Sequence, residues 1–404
     1  MLDDDLRVEE AGVVVVGAGP SGVATALSLA RAGGHSVVVL ERARFPRDKP
    51  CGEGMMPSGV AVLRRLDLLE AVLATGAQPL EGVTYTHPGG APQVTAAFPA
   101  PPGGGPGFGL GVRRLRYDAA LAGALRAHRG VELLESTAAS DLVREGERIV
   151  GVRTAGEVVR ARCVVAADGL HSRLRARAGW SRRRVARPRR SARYGMAGHW
   201  RVDSSRHRGI TVTFCGDHEW YQAPVGPDEL LVSVLARRPR FTALAAGYAT
   251  AARAALPELG DAELIGEPLA AGGFRQRPHR IAGGGLFLVG DAAGYHDPTT
   301  GEGLGIGLEL GEALGHRLHA ALEGRATLDE TAAAYAADHQ RLWRNRRRLT
   351  TLALLLAEHP TLGRRAVAAA RARPQALSAL LGVNCGYWGF GRLRPRDWLT
   401  LLGF

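Results

Sequence analysis

The sequence predicts an α/β fold in which a discontinuous nucleotide-binding domain is interrupted by an antiparallel sheet and followed by a helical C-terminal segment. Three observations carry this prediction. Residues 12–40 have the pattern of a strand, a glycine turn, a helix and a second strand. A further apolar strand, "GGLFLVGD", leads into a glycine-rich loop and a helix near residue 301. Between these signals lie alternating, β-branched segments typical of an antiparallel sheet.

The first element is a βαβ unit built around a glycine turn. "GVVVV" is a β-branched run typical of a buried parallel strand, and "VATALSLARAG" is a helix of small and apolar residues. Gly17, Gly19 and Gly22 form G-x-G-x-x-G between them. The first glycine permits a tight turn, the second lets a pyrophosphate approach the backbone, and the third lets helix and strand pack closely. The phosphate would then lie at the helix N-terminus.

An acidic residue ends the second strand of this unit. Glu41 follows "SVVVL", where a carboxylate can accept hydrogen bonds from both hydroxyls of a ribose. A carboxylate at this point favours an unphosphorylated ribose. The βαβ unit therefore predicts FAD or NAD rather than NADP as the tightly bound nucleotide.

The middle of the chain changes character and defines the segment boundaries. "GVTYTH" and "QVTAAF" have the pattern of a hairpin, "PAPPGGGPG" is a loop, and further strands are predicted near residues 195–237. The sequence shows no internal repeats. We predict a nucleotide-binding domain of residues 1–80, 107–190 and 272–335, a substrate-binding sheet domain of residues 81–106 and 191–271, and a helical C-terminal segment of residues 336–404.

Two further motifs point to a family. "CVVAADGLHSRLR" contains D-G-x-x-S-x-x-R, with Asp168, Gly169, Ser172 and Arg175 in place, and "LFLVGDAAGYHDPTTGEGLGIGL" follows later in the chain. With the glycine turn, these motifs resemble the FAD-dependent monooxygenases and reductases built on the p-hydroxybenzoate hydroxylase fold. The resemblance covers roughly residues 12–330. It implies a Rossmann-like FAD-binding domain, with FAD as the cofactor and NAD(P)H as a transient reductant.

The second motif suggests where the flavin lies. Asp291 ends a buried strand, where its carboxylate can accept a bond from a ribityl hydroxyl, and the helix near Gly301 can stabilise negative charge on reduced flavin. The resemblance implies that Arg114 contacts the ribityl–phosphate region, with Arg113 as the alternative. The predicted FAD-binding residues are Gly17, Ala18, Gly19, Pro20, Ser21, Gly22, Glu41, Arg42, Lys49, Cys51, Gly52, Arg114, Asp168, Gly169, Gly290, Asp291, Pro298, Gly301, Gly303 and Leu304.

The loop "DKPCGEG" contains the single lysine of a chain with 52 basic residues. In the resembling family this crossover passes beside the flavin ring, so Lys49, Cys51 and Glu53 are predicted near the cofactor. Lysine is a compact charge on a flexible stem, whereas arginine is a rigid planar fork, so a tight site could accept only the former. The alternative is that one lysine persists by chance on a surface loop.

The motifs favour a monooxygenase that uses NAD(P)H and O₂ to hydroxylate or epoxidise an apolar, secondary-metabolite substrate. "KPCGEG" and "DPTTGEG" resemble the branch with geranylgeranyl reductases and flavin-dependent halogenases. The alternative function is therefore a geranylgeranyl-reductase-like flavoprotein that saturates prenyl or polyene double bonds. "EWYQAPVG" is only a partial match to the aromatic element of prenyl reductases, and is nearer to the hydroxylase pattern. A halogenase and a non-catalytic flavin-bearing binding protein are weaker alternatives.

Few residues can be given a role in the reaction from the sequence. Cys51, Glu53 and Tyr221 are the candidate catalytic residues, since Cys51 or Tyr221 could donate a proton to a double bond. The candidate substrate-binding residues are Trp200, Trp220 and Tyr221, and a tail pair that could close the pocket is Tyr387 and Trp388.

The composition and the charge limit which partners the protein could have. The formal net charge is +13 and the basic residues are almost all arginine, which reflects either a GC-rich coding bias or attraction to an anionic carrier protein or membrane surface. The run Arg182–Arg190 lacks the interleaved aromatic residues that stack on bases, so no nucleic-acid partner is predicted. The four cysteines have no metal-ligand spacing, so no metal is predicted and a reducing, cytoplasmic setting is expected.

The sequence leaves two questions with alternative answers: what the C-terminal segment contacts, and what reduces the flavin. "QRLWRNRRRLTTLALLLAEHP" has the pattern of an amphipathic helix with a basic start, whose apolar run is too short to span a bilayer. It could pack against the flavin domain or contact a membrane peripherally. No separate nicotinamide-binding domain is visible, which fits transient NAD(P)H binding and equally a partner flavin reductase.

Overall fold

The computed structural model describes residues 11–90, 93–105, 107–181 and 192–403. The run Arg182–Arg190 lies outside these residues. In chain order the strands are β1 (Ala11–Val16), β2 (Val37–Leu40), β3 (Gly54–Met55), β4 (Gln78–Leu80), β5 (Gly82–Thr86), β6 (Val94–Ala97), β7 (Gly109–Gly111), β8 (Val131–Leu134), β9 (Asp141–Glu145), β10 (Arg148–Arg153), β11 (Val158–Ala166), β12 (Arg193–Arg201), β13 (Ile210–Phe214), β14 (His218–Gly226), β15 (Glu229–Arg237), β16 (Leu264–Gly272), β17 (Ala282–Gly283) and β18 (Leu286–Leu288).

The described helices follow the same order. They are α1 (Pro20–Ala32), α2 (Pro57–Arg65), α3 (Leu69–Leu73), α4 (Arg114–Ala127), α5 (Arg173–Arg177), α6 (Arg238–Ala246), α7 (Tyr248–Ala255), α8 (Gly303–Leu322), α9 (Leu328–Glu358), α10 (Pro360–Ala372), α11 (Pro374–Asn384) and α12 (Pro395–Leu401).

The largest sheet carries the nucleotide-binding motifs. Its strand order is β17-β18-β11-β1-β2-β8, and β18, β11, β1, β2 and β8 run parallel. Val13, Val14 and Val15 of β1 are fully buried, as expected where helices cover both faces of a parallel sheet. The long strand β11 also pairs with β10, which pairs with β9 in an antiparallel extension. The carboxyl ends of β1, β11 and β18 therefore meet at one edge.

A seven-stranded sheet is inserted between the halves of the nucleotide-binding domain. Its order is β16-β12-β15-β14-β13-β5-β6, and every neighbouring pair is antiparallel except β13 and β5. A smaller sheet, β3-β7-β4, joins it to the rest. There the backbones almost touch, because a Cβ on Gly111 would lie 1.8 Å from the carbonyl oxygen of Pro224. The predicted α/β fold with an inserted antiparallel sheet is confirmed.

Glycines let α8 lie directly on α1. A Cβ on Gly311 would lie 2.5 Å from the carbonyl oxygen of Ser21, and one on Gly315 would lie 2.8 Å from that of Thr25. Larger residues would push the helices apart. Since successive residues of one helix meet successive residues of the other, the two run in the same direction. Their N-termini, which follow the first and last nucleotide motifs, therefore face the same edge of the sheet.

The C-terminal segment is helical and closes over the inserted sheet. Arg346, on the 31-residue helix α9, is 1% exposed and donates to Glu309 of α8 and to the carbonyl of Asn384 of α11. Helices α10 and α11 pack against β6. No helix among the described residues has both the length and the apolar character needed to cross a bilayer. A buried arginine therefore holds the segment to the nucleotide-binding domain, and α10 and α11 pack it against the inserted sheet.

The structure corrects the predicted role of two tryptophans. Trp200 and Trp220 are fully buried in a cluster with Tyr248 of α7, on the face of the inserted sheet that packs against α6 and α7. Neither lines the cavity described below. Side chains alternate along a strand, so Trp220 and Tyr221 point to opposite faces of β14, and only Tyr221 reaches the cavity.

This burial predicts a large stability effect at Trp220. Trp220→Ala should lower the free energy of unfolding by about 3–5 kcal/mol, because it leaves a cavity in a closed core. Urea denaturation of the purified protein measures this. The matched control is Tyr221→Ala on the neighbouring position, which should cost less stability but change substrate binding. A stable Trp220→Ala protein with an altered KM would contradict the assignment.

Candidate functional site

One cavity of about 1520 Å³ runs through the described part of the molecule. It begins at the glycine turn between β1 and α1, passes between the nucleotide-binding sheet and the inserted sheet, and ends among the C-terminal helices. Ligand sites commonly occupy about 300–1,000 Å³, so this space exceeds what one small ligand needs. It is polar at the glycine turn and apolar at the far end, which suits a nucleotide cofactor and an apolar second ligand.

The glycine turn forms the first part of the cavity wall. Gly17 has φ +106°, and a Cβ there would lie 2.5 Å from the carbonyl oxygen of Ala167. A Cβ on Gly22 would lie 1.9 Å from the carbonyl oxygen of Gly17, so this glycine allows α1 to approach β1. Gly19 caps α1 without a side-chain hydrogen bond and lines the cavity. The first N–H groups of α1 are thus available to a phosphate.

Glu41 lies beside this turn, as predicted, with protein partners on both oxygens. Its carboxylate is almost fully buried and accepts hydrogen bonds from the backbone N–H groups of Ala18 and Ala43, at 3.0 and 3.1 Å. The guanidinium of Arg47 lies 3.3 Å away and also pairs with Asp118. Arg47 lines the cavity and was not identified from the sequence, because no motif marks it.

The Asp-Gly motif presents an unpaired oxygen. Asp168 lines the cavity; its Oδ2 accepts from the N–H of Leu174, but its Oδ1 is buried without a partner among the described residues. A buried unpaired carboxylate oxygen is costly, so a ligand donor would satisfy it. Ser172 instead caps α5, and Arg175 donates to the carbonyl of Ala292. Neither residue lines the cavity, and Arg175 links the Asp-Gly motif to the second flavin motif.

The second flavin motif reaches the same space. Asp291, Pro298, Gly301, Gly303 and Leu304 line the cavity where α8 begins. Three other predicted cofactor residues lie behind the wall and do not line it: Ala18, Gly22 and Gly290. At Gly290 the constraint is packing, since a Cβ would lie 2.3 Å from Oγ of Ser21.

The two neighbouring arginines before and within α4 have different roles. Arg114 lines the cavity, and Asp118 holds its guanidinium through bonds of 2.7 and 2.6 Å. Arg113 instead pairs with Asp48 at 2.7 Å and with Glu229 of β15 at 2.8 Å. The structure therefore places Arg114 at the cavity and Arg113 in the contact between the two domains.

Lys49 lies against the Asp-Gly loop. A Cβ on Gly169 would be 3.3 Å from its Nζ, and Lys49 lines the cavity together with Arg114 and Asp291. Burial lowers the pKa of the amine, and nearby Arg114 lowers it further, while Asp291 raises it. A bound anion would favour the charged form. Lys49 therefore belongs to the polar end of the cavity rather than to a free surface loop.

These residues fit FAD. The glycine turn opens a helix N-terminus to a phosphate, Asp168 offers an unpaired acceptor, and Lys49 and Arg114 supply positive charge. In the resembling family Gly17, Gly19 and Pro20 would hold the pyrophosphate, Glu41 and Arg42 the adenosine ribose, and the Asp291 and Gly301 region the flavin end. The N-terminus of α1 with Lys49 and Arg114 matches a diphosphate, and the N-terminus of α8 matches an anionic reduced ring.

The three candidate catalytic residues lie in different environments. Cys51 lines the cavity and accepts from the N–H of Glu53 at 3.3 Å; burial raises the pKa of its thiol, which Arg114 offsets in part. Tyr221 also lines the cavity, and burial raises its pKa well above the ordinary value. Glu53 also lines the cavity, is 1% exposed, and is bonded to His199 and to the N–H of Arg114. Its carboxylate therefore joins the two domains at the cavity wall. The Tyr221 hydroxyl already donates to the carbonyl of Thr299, which leaves the Cys51 thiol as the donor without such a bond among the described residues.

The far end of the cavity is an apolar chamber. Its wall comes from one face of the inserted sheet and from α9 to α12. The chamber-lining residues are Val83, Tyr85, Met196, Val212, Phe214, Tyr221, Ala223, Leu235, Leu349, Leu352, Leu356, Val367, Leu377, Leu380, Leu381 and Leu401.

Most of these chamber residues were missed by sequence reasoning. Tyr387 and Trp388, predicted to close the pocket, are absent from the wall, and Trp388 Nε1 donates to the carbonyl of Ala379. The leucines of α9 close the chamber instead. The run "LTTLALLLA" was the signal, since leucines on one helical face must be covered by something.

A cluster outside the cavity contains two histidines and a carboxylate. His35 Nε2 lies 3.2 Å from His319 Nδ1 and 3.3 Å from Glu323 Oε1. These atoms form the single group with metal-ligand geometry found among the described residues. The mutual hydrogen bonds account for their arrangement, and the cluster joins the ends of α1 and α8.

The fold and site define a class of FAD-dependent oxidoreductases, and the chain belongs to the family described as "FAD binding domain", whose model matches residues 10–198 and 267–348. The prediction of an FAD-dependent enzyme of this family is therefore confirmed. FAD as the cofactor follows from the family.

The relatives with similar sequences include both reductases and monooxygenases. The chain is 31% identical to a menaquinone reductase of Mycobacterium tuberculosis over 332 residues, 75% of each chain. It is 30% identical to digeranylgeranylglycerophospholipid reductase 2 of Methanopyrus kandleri, over 83% of this chain and 82% of that protein. It is 28% identical to 6-methylpretetramide 4-monooxygenase of Streptomyces rimosus, over 74% and 72%. A flavoprotein/dehydrogenase structure from Cytophaga hutchinsonii superimposes with a TM-score of 0.81 at 20% identity, covering 98% and 100%.

The position of Lys49 predicts an effect on cofactor affinity. Lys49→Ala should weaken FAD binding roughly tenfold or more, because a hydrogen bond to a charged group is lost. Lys49→Arg should also weaken binding or turnover, since the planar fork does not fit against Gly169. Titration of apoprotein with FAD, followed by flavin fluorescence, measures both. Arg44→Ala, an exposed position on the same loop, is the control and should bind normally. Unchanged affinity in both Lys49 variants would remove Lys49 from the site.

Proposed function

We propose that this chain is an FAD-dependent reductase that saturates a carbon–carbon double bond in a long isoprenoid chain. The observation that carries the proposal is the apolar chamber that continues directly from the cofactor end of the cavity. The sequence motifs favoured monooxygenation over reduction. We reverse that order because two relatives that align over three-quarters or more of this chain are reductases whose names denote isoprenoid-bearing molecules.

The chamber's shape and lining support an extended apolar substrate. Its wall contains leucine, valine and aromatic side chains from two domains, and the polar groups concentrate at the glycine turn. Burial of apolar surface contributes about 25 cal/mol per Å², so a long hydrocarbon chain would bind through its length rather than through a polar head. A small, polar aromatic substrate would leave much of this wall uncovered.

Cys51 is the residue we assign to proton donation. When bound and reduced, FAD supplies a hydride to one carbon of the double bond. The other carbon then needs a proton, and Cys51 lies at the junction of the polar end and the chamber. Burial raises the pKa of its thiol, so the thiol stays protonated at neutral pH. Loss of the proton would leave a thiolate beside Arg114, whose positive charge stabilises it.

A monooxygenase remains the second candidate. The stretch "EWYQAPVG" on β14 places Tyr221 at the chamber in the pattern nearer to the hydroxylases. A dry apolar chamber would also protect a reactive oxygen donor from water. This function needs O₂ as a co-substrate and needs no proton donor at Cys51.

The two candidates differ in their need for oxygen. Purified holoenzyme is given dithionite as reductant under anaerobic conditions and geranylgeranyl diphosphate, a polyprenyl lipid that has no quinone ring and that dithionite alone does not reduce. The proposal expects a product heavier by two hydrogens, measured by mass spectrometry. A product heavier by one oxygen, formed only in air with NAD(P)H, would establish the second candidate instead. A chemical reductant is used because the source of electrons in the cell, NAD(P)H or a partner flavin reductase, does not enter this test.

Proton donation by Cys51 predicts a specific kinetic change. Cys51→Ala should lower kcat for reduction about 100-fold or more, the contribution typical of a general acid, with little change in KM. Because burial raises the thiol's pKa, the wild-type rate should persist to a pH above the ordinary cysteine pKa and then fall. The control is Cys215→Ala, which removes a second cysteine of the cavity wall, located just after β13 of the inserted sheet. Equal rates for Cys51→Ala and Cys215→Ala would reject the assignment.

A further inference from the structure

The positive charge of the chain is concentrated at its C-terminal end. Residues 341–403 contain twelve arginines and two carboxylates, Glu358 and Asp397, a net charge of +10 out of +13 for the whole chain. Eleven of the twelve arginines are exposed, and Arg346 alone is buried. Both carboxylates have protein partners, since Glu358 pairs with Arg237 and Asp397 accepts from the N–H of Arg394. The net charge of the segment arises chiefly from its scarcity of carboxylates, two of the 39 in the chain, which a coding bias toward arginine does not explain.

Apolar side chains are exposed in the same segment. Leu355 of α9 is 46% exposed, Leu399 of α12 is 55% exposed and Leu402 is 38% exposed. These are the large apolar side chains that are exposed within the described ranges. Each costs free energy in water, and single exposed leucines are ordinary on protein surfaces. Their restriction to one segment, among arginines, is the unusual feature.

The three helices that carry these exposed residues pack against one another and form one surface region. The start of α10 lies on the end of α9, because a Cβ on Gly363 would be 2.9 Å from the carbonyl oxygen of Leu356. The end of α12 lies on α10, because a Cβ on Gly403 would be 2.7 Å from Cβ of Arg365. We call this surface the C-terminal face. It consists of Leu355, Arg364, Arg365, Arg396, Leu399 and Leu402.

The inner side of the same helices lines the chamber. Leu356 of α9, Arg364 of α10 and Leu401 of α12 belong to the cavity wall, directly beside the exposed leucines. Arg364 is exposed and also lines the cavity, so it belongs both to the C-terminal face and to the cavity wall. A lipid surface bound at this face would lie beside the apolar chamber.

We propose that the C-terminal face binds the surface of an anionic lipid bilayer. Exposed leucines can enter the headgroup region while arginines pair with anionic lipids, the arrangement found in interfacial helices. No described helix could span the bilayer, so the contact is peripheral. An acidic protein would also attract the arginines, but the exposed leucines and the adjoining apolar chamber favour a lipid surface. The inference concerns binding alone and does not depend on the reaction that the enzyme catalyses.

Vesicle co-sedimentation of the full-length, FAD-loaded protein tests the proposal. Binding is measured to phosphatidylcholine vesicles and to vesicles containing one-quarter phosphatidylglycerol. We expect at least roughly tenfold tighter binding to the anionic vesicles, decreasing as salt screens the charges. Absence of binding to anionic vesicles, or equal binding to neutral ones, would overturn the proposal. Binding to an acidic carrier protein without any binding to vesicles would overturn it in favour of a protein partner.

Two double variants and a control locate the contact. Arg365→Gln with Arg396→Gln should weaken binding to anionic vesicles roughly tenfold or more, since each arginine near an anionic surface strengthens membrane binding several-fold. Leu399→Glu with Leu402→Glu should abolish it. Arg129→Gln with Arg325→Gln removes the same charge from exposed positions outside the C-terminal segment. Equal losses in this control would show that net charge, not the C-terminal face, governs binding. Flavin absorbance and the thermal midpoint check that each variant is folded.

Discussion

A buried network of ion pairs fixes the two domains and thereby the shape of the cavity. Arg113, immediately before α4, pairs with Asp48 of the crossover after β2 and with Glu229 of β15. Glu53, held at φ +53°, bonds to His199 of β12. Desolvation of these charges is costly, and breaking a buried pair typically costs about 3–5 kcal/mol. The network therefore holds the loop that carries Lys49 and Cys51 against the inserted sheet, and the cavity depends on that position.

The cavity joins two environments that no single domain could provide. At one end, helix N-termini, Lys49 and Arg114 create positive potential for a phosphate-bearing cofactor. At the other end, the inserted sheet and the leucines of α9 exclude water from the chamber. Cys51 lines the same cavity, on the loop after β2 that also carries Lys49. A charged end and an apolar end therefore share one continuous space.

The sequence predicted correctly those parts of the site whose residues are close together in the chain, and it predicted poorly those that depend on distant partners. Gly17, Gly19 and Glu41 lie within one βαβ unit, so their spacing alone placed them at one turn. The sequence did not show in the same way which side chains of β14 face the cavity and which face the core. Trp220 and Tyr221 are adjacent and both aromatic, and only the helices packed on one face show that Trp220 is core while Tyr221 meets the cavity. Glu53 was predicted from its neighbours, but its partner His199 lies 146 positions away.

The sequence by itself determined the nucleotide-binding architecture, the family and the cofactor, because these depend on short glycine motifs whose backbone geometry is local. It also located the basic C-terminal segment and the lone lysine in the loop after β2. Only the tertiary structure decided which faces of the inserted sheet line the chamber, that α9 to α12 close it, and that Glu53 belongs to a contact between domains. Those outcomes depend on packing between segments far apart in the chain, and hydrophobic packing leaves no local signature of its partner.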